Sequence, residues 1–126
     1  MKQELQDRLF LKYPEIFRQK DLSPQETCMC WGICVPDEWY DLLDVLCFNI
    51  QRHVDNRCGL QVEAGQVKTK FGGLRFYIDN RCCEYVDGLI AMAEGMSYTI
   101  KEDKSEKYQK KLGKESDAAE VNSEPI

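Results

Sequence analysis

The 126-residue chain has one histidine, four prolines and no apolar run approaching the roughly eighteen residues that a membrane-crossing helix requires. It has no glycine-rich phosphate loop of the Walker or dinucleotide type, no convincing carboxylate pair, and only His53 as a side chain of near-neutral basicity. An enzyme is therefore not expected, and neither catalytic residues nor a cofactor are assigned. An excess of basic charge is also missing. The formal net charge of −5 argues against bulk adhesion to nucleic acid or anionic lipid and leaves room only for a local basic patch. Met1-Lys2-Gln3-Glu4 leads into amphipathic rather than continuously apolar sequence, so no secretory signal is read and a cytoplasmic setting is expected. At this length one domain is expected, residues 1–100, followed by a charged tail, residues 101–126.

Cysteine is plentiful, and its pattern is uninviting for cross-links. The seven cysteines are Cys28, Cys30, Cys34, Cys47, Cys58, Cys82 and Cys83. An odd number with a vicinal pair argues for reduced thiols rather than a disulfide framework. The nearest approach to a zinc site is Cys28-x-Cys30-x3-Cys34, with Cys82, Cys83 or His53 as remote ligands. That spacing departs from paired Cys-x2-Cys knuckles, and Trp31 and Ile33 between the thiols read as core, so no metal ligand is assigned. A nucleophilic thiol paired with His53 is weaker still, because no oxyanion-hole or base-orienting pattern accompanies it.

Apolar periodicity divides the chain into elements. Leu5 and Leu9, with Phe10 beside them, predict a short helix over 2–12, whose apolar side continues with Tyr13, Ile16 and Phe17 through a bend at Pro14. Ser23, Pro24 and Glu26 have the spacing of a single capped turn. Cys28 to Ile33 reads as an irregular or extended buried piece. Pro36, Asp37 and Glu38 open a helix over 37–54, on which Trp39, Leu42, Leu43, Leu46, Ile50 and Val54 form one stripe. His53 falls at the stripe's margin, where a hydrogen-bonded core-edge histidine is the plainer reading. Phe48 points the opposite way, towards a second layer or a partner. A last helix over 84–100 places Tyr85, Val86, Leu89, Met92, Ala93, Met96 and Ile100 on one broad face, with Gly88, Ala91 and Gly95 along a flank, either admitting another backbone closely or, the plainer reading, at tolerated solvent positions. From Lys101 the chain carries six basic and seven acidic residues with almost no apolar stripe, and disorder is expected beyond Gly113.

Between the helices the period changes to two. Val67, Thr69 and Phe71 alternate with Lys68 and Lys70, and Leu74, Phe76 and Ile78 with Arg75 and Tyr77. With Gly72-Gly73 as a two-residue turn, Phe71 faces Leu74, Thr69 faces Phe76 and Val67 faces Ile78 on an apolar side. Lys70 then lies opposite Arg75, and Lys68 opposite Tyr77, on the outer side. Residues 60–64 are a candidate third strand. The predicted core is Trp39, Leu43, Leu46, Ile50, Phe71, Leu74, Phe76, Leu89 and Met96, and the predicted class is α+β, with helices packed on a small antiparallel hairpin or sheet.

The string Gln66-Val67-Lys68-Thr69-Lys70-Phe71-Gly72-Gly73-Leu74-Arg75-Phe76-Tyr77, with Tyr13-Pro14-Glu15-Ile16-Phe17, Met29-Cys30-Trp31-Gly32 and the Trp39 helix, resembles a family of small phage and prophage proteins without an assigned activity. The resemblance spans roughly residues 1–97. Many relatives in that family continue into a cysteine-rich, zinc-ribbon-like tail, whereas no cysteine follows Cys83 here, so a ribbon's metal or nucleic-acid role does not transfer. The resemblance implies the cytoplasm of an infected or lysogenic bacterium as the setting. Two functions compete. One is docking on a host or phage protein, such as a defence or nucleic-acid-processing factor, through exposed aromatics including Phe48. The other is binding of nucleic acid or phosphate by Lys68, Lys70, Arg75 and Tyr77 on the hairpin's outer face; against it, Asp79 and Glu63 are candidate acidic partners for those cations. Oligomeric state is not legible.

Overall fold

The computed structural model describes residues 1–58, 60–80 and 83–100, with the backbone alone at Cys58. The expected tail, 101–126, and Cys82 lie outside the described residues. In chain order the elements are α1 (Gln3–Lys12), β1 (Ile33–Cys34), α2 (Tyr40–His53), β2 (Ala64–Lys70), β3 (Gly73–Ile78) and α3 (Glu84–Ser97). The class is α+β as expected. The sheet, however, is mixed: β2 is central, β3 runs antiparallel to it and β1 parallel. The third strand is thus Ile33-Cys34 rather than residues 60–64. Gly32, at φ +82, turns the chain so that Ile33 enters the core, and Gln6 Oε1 accepts the Ile33 amide at 2.8 Å. The same turn leaves Trp31, expected in the core, exposed.

The stripe on the central helix is realised in full: Trp39, Leu42, Leu43, Leu46, Ile50 and Val54 are all buried. A 3-10 turn at Asp37–Trp39 precedes α2, and a π turn at Val54–Cys58 follows it. Trp39 Nε1 donates to the Ile100 carbonyl at 2.6 Å, tying the start of α2 to the turn that follows α3. Tyr13, Ile16 and Phe17 are buried as well, continuing α1 into the core, and the Tyr13 hydroxyl donates to the Asp44 carboxylate on α2. The Ser23–Glu26 turn closes reciprocally, with the Ser23 amide donating to Glu26 Oε1 and the Glu26 amide to the Ser23 carbonyl.

The hairpin forms with its turn one residue earlier than expected. Lys70 pairs with Gly73, so the two turn residues are Phe71 (φ +54) and Gly72 (φ +79), both left-handed as a type I′ turn requires. The Tyr98 ring occupies the place of a side chain at Gly73, which makes that glycine a strand residue. Moving the turn by one residue shifts each cross-strand partner by two, so every strand side chain keeps its expected face. Val67 now faces Phe76 and Thr69 faces Leu74. The casualty is Phe71, which leaves the core for the hairpin tip and is 85% exposed. A bulge at Gly65, where Asp79 fills the space of a Cβ, resets the alternation so that Ala64 is buried opposite Ile78.

Two polar devices fix the sheet. At one end Arg18 grips Glu63 through two 2.9 Å hydrogen bonds, and the Gln19 amide donates to both Glu63 and Asp79. Along the free edge, the Leu74 amide donates to Ser97 Oγ at 2.8 Å and the Phe76 amide to Glu94 Oε2 at 3.0 Å. Helix α3 thereby covers the edge that β3 would otherwise present to another strand.

Candidate protein-binding face and its basic end

The requirement for Ser97 and Glu94 at the sheet edge fixes the rotation of α3. Val86, Ile90, Ala93 and Ser97 are turned inward. The broad face read from the sequence is therefore split. Val86 and Ala93 are buried and Leu89 is partly buried, but Tyr85, Met92 and Met96 are exposed, Met96 contrary to its expected place in the core. On α2, Val45 and Phe48 lie off the buried stripe, 61% and 54% exposed; Met92 on α3 is 61% exposed.

These second faces adjoin. Between α2 and α3 runs an open groove of about 390 Å³, walled by Leu42, Leu46, Leu89 and Ala93 and rimmed by Val45, Met92 and Met96. Asp41 stands on its lining, as does Asn49. Asn49 also lines a second cavity of about 590 Å³, whose other walls are Arg52, His53, Asn56, Arg57 and Tyr85. The seam between the helices is thus apolar over one stretch and cationic over the next. Methionines suit such a surface because an unbranched thioether refits to different partners. The signal in the sequence was Phe48 on α2 and, on α3, an apolar face broader than the flank of Val86, Ile90 and Ala93 that packs inward.

His53 is a half-buried, hydrogen-bonded histidine at the core margin, as the plainer reading has it. Its Nε2 lies 3.2 Å from Cys83 Sγ, and its ring stacks on Tyr85 with centroids 4.3 Å apart. A thiol thus lies against His53 in space.

On the outer side of the hairpin, Lys68 faces Arg75 directly, in place of the expected Lys70–Arg75 and Lys68–Tyr77 pairings. The Lys68 ammonium lies 5.9 Å from the Tyr77 ring centre and the Lys70 ammonium 5.6 Å from that of Phe71. Arg75 donates to the Leu74 carbonyl and to the Tyr98 hydroxyl, and the Tyr98 bond, with Glu94 nearby, raises its pKa further. Glu63 and Asp79, the expected acidic partners, are bonded instead to Arg18 and Gln19. Phe48 belongs to a different face, so the structure does not gather the five predicted binding residues into one site. Cys28, Cys30 and Cys34 form no metal cluster: among the described residues no three His, Cys, Asp or Glu side chains are placed to hold an ion. The Cys30 and Cys34 thiols donate to nearby carbonyls. Among the described residues no helix is long and apolar enough to cross a membrane. No family model, no curated protein and no solved structure matches the chain.

Proposed function

We propose that the protein acts by binding another protein along the α2–α3 face, without catalysis of its own. The observation that carries this reading is the continuous exposed apolar surface of Val45, Met92 and Met96 over the groove, with Phe48 beside it on α2. A surface of this kind is costly to leave in water and fits an apolar helix or extended segment of a partner. The resemblance of the hairpin string points to a host or phage protein in the bacterial cytoplasm, and occlusion of a defence or nucleic-acid-processing factor would need no chemistry from this chain.

The test is affinity capture from bacterial extract with the native chain and with Val45→Glu/Met92→Glu in parallel, quantified by mass spectrometry. Both positions are exposed, so the variant should unfold at the native temperature while losing the retained partner. Equal retention by both chains would reject the interface. A second reading, anion or nucleic-acid binding by the hairpin, draws on the direct opposition of Lys68 and Arg75. Lys68→Glu/Arg75→Glu in the same experiment separates the two: loss of a salt-sensitive nucleic acid in this variant alone would favour the hairpin.

A further inference from the structure

We propose that Cys83 is a site of reversible thiol modification that exchanges with small disulfides carrying carboxylates, His53 assisting the exchange and Arg52 and Arg57 holding the anion. Three observations converge. The Cys83 thiol and His53 Nε2 are 3.2 Å apart, within hydrogen-bond reach for a sulfur donor. The imidazole is held by its stack on Tyr85, so the nitrogen that faces sulfur is oriented before any reagent arrives. His53 and Tyr85 are also walls of the 590 Å³ cavity, which is large enough for a small peptide disulfide and contains two guanidinium groups. Arg52 and Arg57 are exposed and enter no ion pair among the described residues, in a chain whose net charge is −5. Two guanidinium groups in the cavity that His53 walls match the carboxylates of an anionic disulfide whose sulfur reaches the thiol past that imidazole.

The step balances without an outside oxidant. The S–H proton of Cys83 passes to unprotonated His53 Nε2, and the sulfur attacks one sulfur of the incoming disulfide. That S–S bond breaks as a Cys83 mixed disulfide forms, and the departing thiolate takes the proton from His53. Cys83 immediately precedes α3, so negative charge developing on sulfur meets the positive end of that helix.

The test follows release of the coloured thiol from dithiobis-nitrobenzoate, a dianionic disulfide, and from uncharged dithiodipyridine, with peptide mapping to assign the cysteine. A Cys82→Ser background keeps the adjacent thiol from competing or resolving the adduct. Cys83 is expected to react about tenfold or more faster than the exposed Cys28 and Cys34. His53→Gln should remove that advantage with both reagents, whereas Arg52→Gln/Arg57→Gln should slow the anionic reagent alone. Cys83 reacting no faster than Cys28 and Cys34 would overturn the proposal, as would an unchanged rate in His53→Gln or a stoichiometric zinc ion that blocks the thiol. Should His53→Gln fail to fold, the native rates and the exposed arginine pair still decide. Equal slowing of both reagents, or of neither, in the arginine variant would overturn the anion preference.

Discussion

Helices α2 and α3 are each fourteen residues long, and both are rich in apolar side chains, yet only one announces its buried face in the sequence. On α2 the apolar residues gather into a stripe, and burial follows that stripe through Leu42, Leu43, Leu46 and Ile50. On α3 they share one broad arc, and only its Val86, Ile90 and Ala93 flank is buried, so hydrophobicity alone does not say which part of the arc packs inward. A polar requirement settles it: the free amides of β3 need acceptors, and Ser97 and Glu94 provide them. A buried serine thus outranks an exposed methionine in orienting α3, because an unpaired buried amide costs more than a methionine left in water.

The sharpest way to break this comparison is to truncate one residue on each face. Leu43→Ala, at a fully buried position, should lower stability by about 2–5 kcal/mol in urea denaturation, whereas Met92→Ala should stay within about 0.5 kcal/mol. Comparable losses would mean that the second face of α3 is packed. Ser97→Ala comes next. It strands the Leu74 amide and should cost about 1–3 kcal/mol, with earlier hydrogen exchange at that amide than at its neighbours in β3.

Acid probes the polar device at the other end of the sheet. Hydrogen bonds from Arg18 and Gln19 hold the Glu63 carboxyl below the ordinary carboxylate range. For Asp44, burial alone would push the carboxyl up, but hydrogen bonds from Lys12 and Tyr13 outweigh it and the net direction is down. A carboxyl depressed by folding adds stability above its unfolded pKa, near about 4, and that stability is lost as pH falls through the folded value. The melting temperature should therefore fall as pH is lowered from about 5 towards 3, and the fall should be shallower in Glu63→Gln. Parallel curves for the two chains would remove Glu63 from the account. The smallest expected effect is a gain. Gly88 and Gly95 are exposed within α3, with nothing within 4 Å of an added Cβ. Gly88→Ala and Gly95→Ala should each stabilise by about 0.5–1 kcal/mol in denaturant titration.

What was legible in the sequence follows the range of the interaction. The α2 stripe, the capped turn at Ser23 and the inward positions Val67, Leu74 and Phe76 of the hairpin are local patterns, and they formed. Phe48, opposite the stripe, was readable for the same reason. The position of the turn was not, because Gly73 is reserved by the distant Tyr98 ring. Strand β1 was hidden since two residues carry no alternation, and their pairing with β2 crosses the whole of α2. The Cys83–His53 contact and the groove each join side chains from different elements, so spacing along the chain could not assemble them.

Methionine oxidation tests the central claim most directly, because it reads both sides of the molecule in one sample. With limiting peroxide and peptide mass mapping, Met92 and Met96 on the α2–α3 face should oxidise well before Met29, which is 0% exposed. Met92 protected as strongly as Met29 in the isolated chain would contradict an open face between the two helices.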